Sequence, residues 1–116
     1  MFRTFLRSKI HRATVTETNL YYEGSITIDS RLMKAADISD GEKVEVLNVN
    51  NGQRIETYAI PGKPGTGVIC LNGPASRGAC VGDRIIILTY ALIDEKELRG
   101  FKAKVIKVDA RNRIKN

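Results

Sequence analysis

Hydrophobic and polar residues alternate along most of this 116-residue chain, and a period of two is the mark of strands with one buried face. Phe2 to Thr16 reads as one long strand, with Lys9, His11, Ala13 and Val15 sharing a face. Ser25-Ile26-Thr27-Ile28 reads as a second. Asp29 or Ser30 is placed to cap a short helix through Ile38, whose apolar side is Leu32, Met33 and Ala36. Lys43 to Asn50 and Gln53 to Ile60 predict two more strands joined at Asn51-Gly52, a dipeptide suited to the positive φ angles of a tight hairpin. Then come a loop, PGKPGTG (61–67), a strand at VICL (68–71), a turn-rich NGPASRG (72–78) and a buried strand at RIIILTYAL (84–92). A brief helix from Asp94 to about Arg99 precedes a last strand, KAKVIKV (102–108). The terminal ARNRIKN (110–116) reads as a frayed, flexible tail.

One segment echoes another. DGEKVEVL (40–47) and VGDRIIIL (81–88) share the order Gly, acid, base, β-branched, any, β-branched, Leu, 41 residues apart. A glycine, an acid and a base ahead of a strand is common in itself. The alternative is a pseudo-symmetric barrel in which each half supplies a similar strand-turn-strand unit. Many short strands with few helices predict a small closed barrel on either view, and closure removes exposed strand edges.

Length and composition narrow the function classes. At 116 residues, 42% hydrophobic and 28% charged, the chain suits one globular domain with a real core. No apolar run reaches the roughly 20 residues that span a bilayer, and the N-terminus alternates apolar with basic residues where a signal peptide would be continuously apolar. A cytoplasmic protein without membrane contact is expected. Cys70 and Cys80 fit no zinc spacing, and with a single histidine no metal site is expected; both cysteines read as buried reduced thiols. The net charge of +6 invites a nucleic-acid reading. The excess sits at the two chain ends, however, and no aromatic-rich strand offers a stacking surface for bases. Nucleic acid is therefore not expected as a partner; a solvated basic face is the plain reading of the charge, and an attraction for small anionic substrates is the next.

The usual catalytic kits are missing: no GxSxG, phosphate loop, HExxH or CxxC is present. What remains is Gly24-Ser25, set where a strand begins, in LYYEGSI (20–26). A serine hydroxyl can attack the preceding carbonyl and shift the chain from amide to ester, provided the fold strains that peptide and stabilises the oxyanion. A glycine before the serine reaches backbone angles closed to other residues and leaves its carbonyl open to attack. Elimination of the ester and hydrolysis then leave a pyruvoyl group, a covalent cofactor able to form a Schiff base with an amine and to accept electrons as carbon dioxide leaves. Neither a metal nor pyridoxal phosphate is needed for that chemistry.

The stretches KIHRATVT (9–16), YYEGSITID (21–29), NVNNGQRIETYAI (48–60) and LNGPASRGACVGDRIIIL (71–88), in order and at matching spacing, resemble the pyruvoyl-dependent aspartate 1-decarboxylases over residues 1–92. The resemblance implies a double-psi β-barrel with short helices, assembled as a homotetramer with its sites between subunits. It implies self-cleavage at Gly24-Ser25 into a β chain, 1–24, and an α chain, 25–116, and conversion of L-aspartate to β-alanine and carbon dioxide for pantothenate and coenzyme A synthesis. Whether a maturation factor assists is not implied either way. Ser25 matches the residue that becomes the pyruvoyl group, Arg54 the arginine that grips a substrate carboxylate, and Tyr58 the proton donor. Thr57 matches a residue that assists cleavage by hydrogen-bonding the Gly24 carbonyl; alternation turns it away from Tyr58, so a twist or bulge is expected there. Lys9, His11 and Tyr22 match pocket residues, with Lys9 steadying the second carboxylate. Asn72, Gly73, Pro74 and Ala75 match a substrate-contacting loop. Proline stands where the family pattern has alanine, and it has no N–H to offer, so any donor there is Gly73 or Ala75. Two other readings of the residues stay open: a non-enzymatic basic β-barrel that binds DNA, and a pyruvoyl decarboxylase acting on another acidic amino acid such as glutamate.

Overall fold

In the computed structural model, which describes residues 1–115, the alternating segments pair into one continuous sheet. The strands are β1 (Phe2–Thr14), β2 (Glu17–Asn19), β3 (Ser25–Asp29), β4 (Lys43–Asn48), β5 (Arg54–Gly62), β6 (Ile69–Asn72), β7 (Arg84–Asp94) and β8 (Lys104–Lys107). Their order is β2-β6-β3-β5-β4-β7-β1-β8. Only Val15 and Thr16 separate β1 from β2, and both are hydrogen-bonded into the sheet: Val15 N donates to Asp83 O at 2.9 Å and Thr16 N to Ile69 O at 2.9 Å. The two strands are thus one path that runs from β7 to β6 and closes the ring. A barrel results, and β8 adds to its rim beside β1. Its interior is aliphatic, with Ile10, Val15, Ile26, Ile28, Val44, Val46, Ile69, Leu71, Ile85 and Ile87 buried.

The echo in the sequence is a two-fold relation in space. Val46 and Ile87, equivalent positions of the repeat, face each other across the antiparallel β4–β7 pair. Around that point β1/β2 corresponds to β5, β3 to β6 and β4 to β7. The β1/β2 path and β5 each pair parallel on one side and antiparallel on the other within the ring. Every pairing within the ring joins one half to the other, so neither half makes a sheet alone. The fold is mainly β, a double-psi β-barrel with short helices. Two of the three connecting helices are also equivalent: α1 (Ser30–Ala36) follows β3, and a 3₁₀ helix (Gly73–Gly78) follows β6, while a second 3₁₀ helix (Glu95–Gly100) joins β7 to β8 close to where the sequence places a brief helix. Asp29 caps α1 by accepting from Arg31 N at 2.9 Å, and Leu32, Met33 and Ala36 pack inward as expected.

The structure departs from the sequence pattern in four places. In β1 the partners Ile10↔Ile87 and Ala13↔Ile85 leave one extra residue on β1, and Arg12 takes a φ of 63°. This bulge reverses the alternation, so Ala13 and Val15 turn into the core with Ile10 while Lys9 and His11 stay half-buried on the outer side. The common face expected for Lys9, His11, Ala13 and Val15 is therefore broken at Arg12. At Thr57 the opposite holds: no bulge interrupts β5, whose register against β4 runs Lys43↔Tyr58, Val44↔Thr57, Glu45↔Glu56. Cys70 is buried, but Cys80 is exposed. The end of the chain, for which fraying is expected, turns back on itself over residues 109–115; Asn116 lies outside the described residues. Asn112 is the fastener, 3% exposed at a φ of 62°. Its amide accepts from Thr14 N at 2.7 Å and donates to Thr14 O at 2.8 Å and Gly67 O at 2.7 Å.

Asn112→Ala would orphan these buried backbone groups and force alanine into the left-handed region. It should cost about 2–4 kcal/mol, read as a lower urea midpoint at unchanged slope.

Among the described residues, no helix is long and apolar enough to cross a membrane.

Candidate active site

Ser25 is the first residue of β3 and pairs with Asn72, the last of β6. Its hydroxyl is inside the protein, with 1% of the residue exposed. The proton is directed to Glu23 O, 3.1 Å away. The oxygen accepts from Asn72 Nδ2 at 2.9 Å, and the same nitrogen donates to Thr27 Oγ1 at 2.9 Å. At the other end of the amide, Asn72 Oδ1 accepts from the Cys70 thiol at 3.2 Å. The β3–β6 ladder builds this cluster: residues two apart share a face, so Ser25 with Thr27 and Cys70 with Asn72 project together.

Gly24 lies beside this cluster on the wall of an open cleft of about 390 Å³, with Ile55, Glu56, Thr57, Tyr58, Pro74 and Ala75. The parallel β3–β5 register, Ile26↔Ala59, explains the grouping, because the two residues before Ile26 run level with Thr57 and Tyr58. Thr57 and Tyr58 reach the same cleft without a bulge because it opens at the end of that pairing. Glu56 is tied to Lys43 at 3.2 Å. On the facing loop, Gly73 adopts a φ of +62°; a Cβ there would meet Tyr22 O at 2.8 Å and Gly24 N at 2.9 Å. Gly24 itself has no positive φ, and a Cβ on it would touch only Pro74 Cδ, at 3.5 Å. The unusual backbone angle expected at Gly24 is carried instead by Gly73.

The remaining expected residues lie elsewhere in the single chain. Arg54 shares the exposed side of β5 with Tyr58, but its guanidinium is paired with Glu45 of β4. Tyr22 lines a second pocket, of about 210 Å³, with Glu17, Asn19, Thr27, Val68, Cys70 and Asn72. Lys9 and His11 sit on β1, separated from β5 by β7 and β4. The structure thus brings Gly24, Ser25, Thr57, Tyr58, Asn72, Gly73, Pro74 and Ala75 together and leaves Lys9, His11 and Arg54 outside the cleft. Cys70 and Thr27 were missed in the sequence, although their i, i+2 spacing from Asn72 and Ser25 is a usable signal.

His11 has its own electrostatics. Burial, then the charges of Lys9, Arg12 and Lys107, lower its pKa from 6.5, and its Nδ1 is buried without a partner. The imidazole is therefore neutral at pH 7. Because its folded pKa lies below the unfolded value, its contribution to stability is complete above 6.5 and is lost as pH falls through the folded value. An NMR titration of this one histidine should give a midpoint below 6.5.

The sequence model described as aspartate decarboxylase matches residues 1–115. An aspartate 1-decarboxylase of Pelotomaculum thermopropionicum is 60% identical over 98% of this chain and 86% of its own length. One of Thermoanaerobacter pseudethanolicus is 56% identical over 100% of this chain and 99% of its own. Among solved structures, a rationally designed protein aligns at a TM-score of 0.49 and 18% identity, over 68% of this chain and 91% of its own.

Proposed function

The chain belongs to the aspartate decarboxylase family and converts L-aspartate to β-alanine and carbon dioxide; we propose that it does so with a pyruvoyl group made from its own Ser25. The observation that carries the reading is the buried Ser25 hydroxyl, held by Glu23 O and Asn72 Nδ2 directly beside a cleft-lining Gly24. In self-cleavage, Ser25 Oγ bonds to the Gly24 carbonyl carbon, the C–N bond breaks, and the hydroxyl proton passes to the freed amine. Loss of the Ser25 Cα proton then expels the Gly24 carboxylate and leaves dehydroalanine. Water displaces its nitrogen as ammonia, and the α chain begins with a ketone. The polar side chains around Ser25 suit such a group: Asn72 and Thr27 are small, and Asn72 offers N–H donors from a site 2% exposed.

Once formed, the ketone supplies the electron sink for the carbon–carbon bond that breaks. The protein does the rest. Tyr58, on the cleft wall, delivers a proton to the carbon that loses carboxylate. Thr57 shares the cleft with Gly24 and assists cleavage. Arg54 holds a substrate carboxylate in place of Glu45, an exchange of one carboxylate partner for another. With proline at 74, the loop donor to substrate is the Ala75 N–H, since Ala75 lines the cleft and Gly73 is buried. Lys9, His11 and Tyr22 complete the site in a homotetramer. Lys9 and His11 do not reach the cleft within one chain, which is what a site between subunits requires. The product feeds pantothenate and coenzyme A synthesis in the cytoplasm.

Intact mass under denaturing conditions tests the reading. Wild-type protein should give a 24-residue fragment and a fragment of the remaining 92 residues. The larger should lack a free amino terminus and react with a carbonyl reagent. A single intact chain in fully active protein would rule the pyruvoyl group out.

A further inference from the structure

We infer that Cys70 is a positioning residue for self-cleavage: its thiol holds the Asn72 amide in the one orientation that donates to Ser25 Oγ. The inference rests on the self-cleavage reading above. A side-chain amide is nearly symmetric in shape, so its partners decide which end faces which way. At the Ser25 end both acceptors are hydroxyl oxygens, and the Ser25 proton is already committed to Glu23 O at 3.1 Å. At the far end the Cys70 thiol donates to Oδ1 at 3.2 Å. A thiol is a weak donor in water, but this one is 6% exposed. Burial, and then the neighbouring carboxylate of Glu17, raise its pKa, so it keeps the proton that the bond needs.

Without that donor the amide is free to turn over. Oδ1 would then face Ser25, whose proton would swing from Glu23 O to Asn72, and no N–H would rest on Oγ. Oγ is the atom that becomes the ester oxygen and departs with Gly24 as carboxylate. A hydrogen bond donated to it stabilises the charge that develops there, as donors do in an oxyanion site. Cys70 touches neither the scissile bond nor the cleft, so its influence passes through Asn72.

Two substitutions separate donation from packing. Cys70→Ser keeps a donor and loses volume; Cys70→Val is apolar and somewhat larger than cysteine, suits a strand, and has no donor. Each chain, and the wild type, is made by cell-free synthesis. The fraction converted to 24- and 92-residue fragments is followed by intact mass, with thermal unfolding as a check on folding. Conversion of Cys70→Ser should stay within about threefold of wild type, and that of Cys70→Val should be at least about tenfold slower. A packing role predicts the reverse order, so Cys70→Val converting as fast as Cys70→Ser overturns the inference. If Cys70→Val does not fold, Cys70→Ala replaces it. It matches serine in size, and equal rates for alanine and serine are then the overturning result. Wild type that never converts overturns the self-cleavage reading as well, whereas wild type that converts while the variants rank by volume removes only the role of Cys70.

Discussion

Ser25→Ala should yield a folded, uncut chain of 116 residues that forms no β-alanine. The substitution removes one oxygen. Asn72 Nδ2 keeps its bond to Thr27 Oγ1, and Glu23 O loses a single partner near the surface. A cost of about 1–2 kcal/mol follows, which a domain of this size absorbs. The chemical loss is of another order. Without the hydroxyl no ester forms, the Gly24–Ser25 peptide stays closed, and no ketone appears to receive electrons from the breaking bond. Decarboxylation should fall by at least about 10⁶-fold, the low end of enzymatic rate enhancement. Two measurements made together decide the matter: intact mass, and carbon dioxide release from labelled aspartate. Activity in a purified uncut variant would move the chemistry away from residue 25 altogether. An inactive variant with both fragments present would show that cleavage does not need the serine hydroxyl.

How much of this was legible in the sequence follows from the range of each interaction. Alternation in β3, β4, β5 and β7 is a local property, and the strands lie close to where the pattern sets them. The 41-residue echo between β4 and β7 survives folding as facing positions, Val46 against Ile87. What stayed hidden depends on partners distant in the chain. The bulge at Arg12 exists because β1 carries one residue more than β7 across that span, and nothing in HRA marks it. β2 is three residues without an apolar member, ETN, and is a strand only because β6 lies alongside. Asn112 looks like part of a polar tail until Thr14 and Gly67, some 98 and 45 positions away, give its amide three partners.

The site divides the same way. Gly24-Ser25, Thr57, Tyr58 and the 72–75 loop were identified by motif, and the fold gathers them around one cleft. The left-handed backbone is at Gly73 and not at Gly24, because a residue's identity does not reveal which of two facing glycines carries it. In the sequence Cys70 reads as a buried reduced thiol. Its burial is real, but its bond to Asn72 depends on both residues projecting from one side of β6 toward Ser25. Lys9, His11 and Arg54 show a different limit: their positions can be matched in the sequence, while none of the three lines the cleft within one chain.

Gly73→Ala should damage both the fold and self-cleavage, and Gly24→Ala should spare the fold. At Gly73 the φ of +62° alone costs alanine about 1 kcal/mol. The added methyl would also lie 2.8 Å from Tyr22 O, 2.9 Å from Gly24 Cα and 2.9 Å from Gly24 N. All three are backbone atoms, so no side chain can swing aside. Residues 22–24 would have to retreat, and they lead directly into the Ser25–Asn72 pair that holds the hydroxyl. A total loss of about 2–4 kcal/mol is expected, or a melting temperature lower by about 10 °C. Fragment formation should slow by more than about tenfold, because a displacement of a few tenths of an ångström separates Oγ from the carbonyl it attacks. At Gly24 the new methyl meets only Pro74 Cδ at 3.5 Å, an ordinary contact, and the backbone angle is open to alanine. That variant should melt within about 4 °C of wild type. The two glycines face each other beside the Gly24–Ser25 peptide, so the order of their melting temperatures tests which one the close approach constrains. A Gly73→Ala protein as stable as Gly24→Ala, and cut at the wild-type rate, would mean that the 72–75 loop does not hold the scissile segment in place.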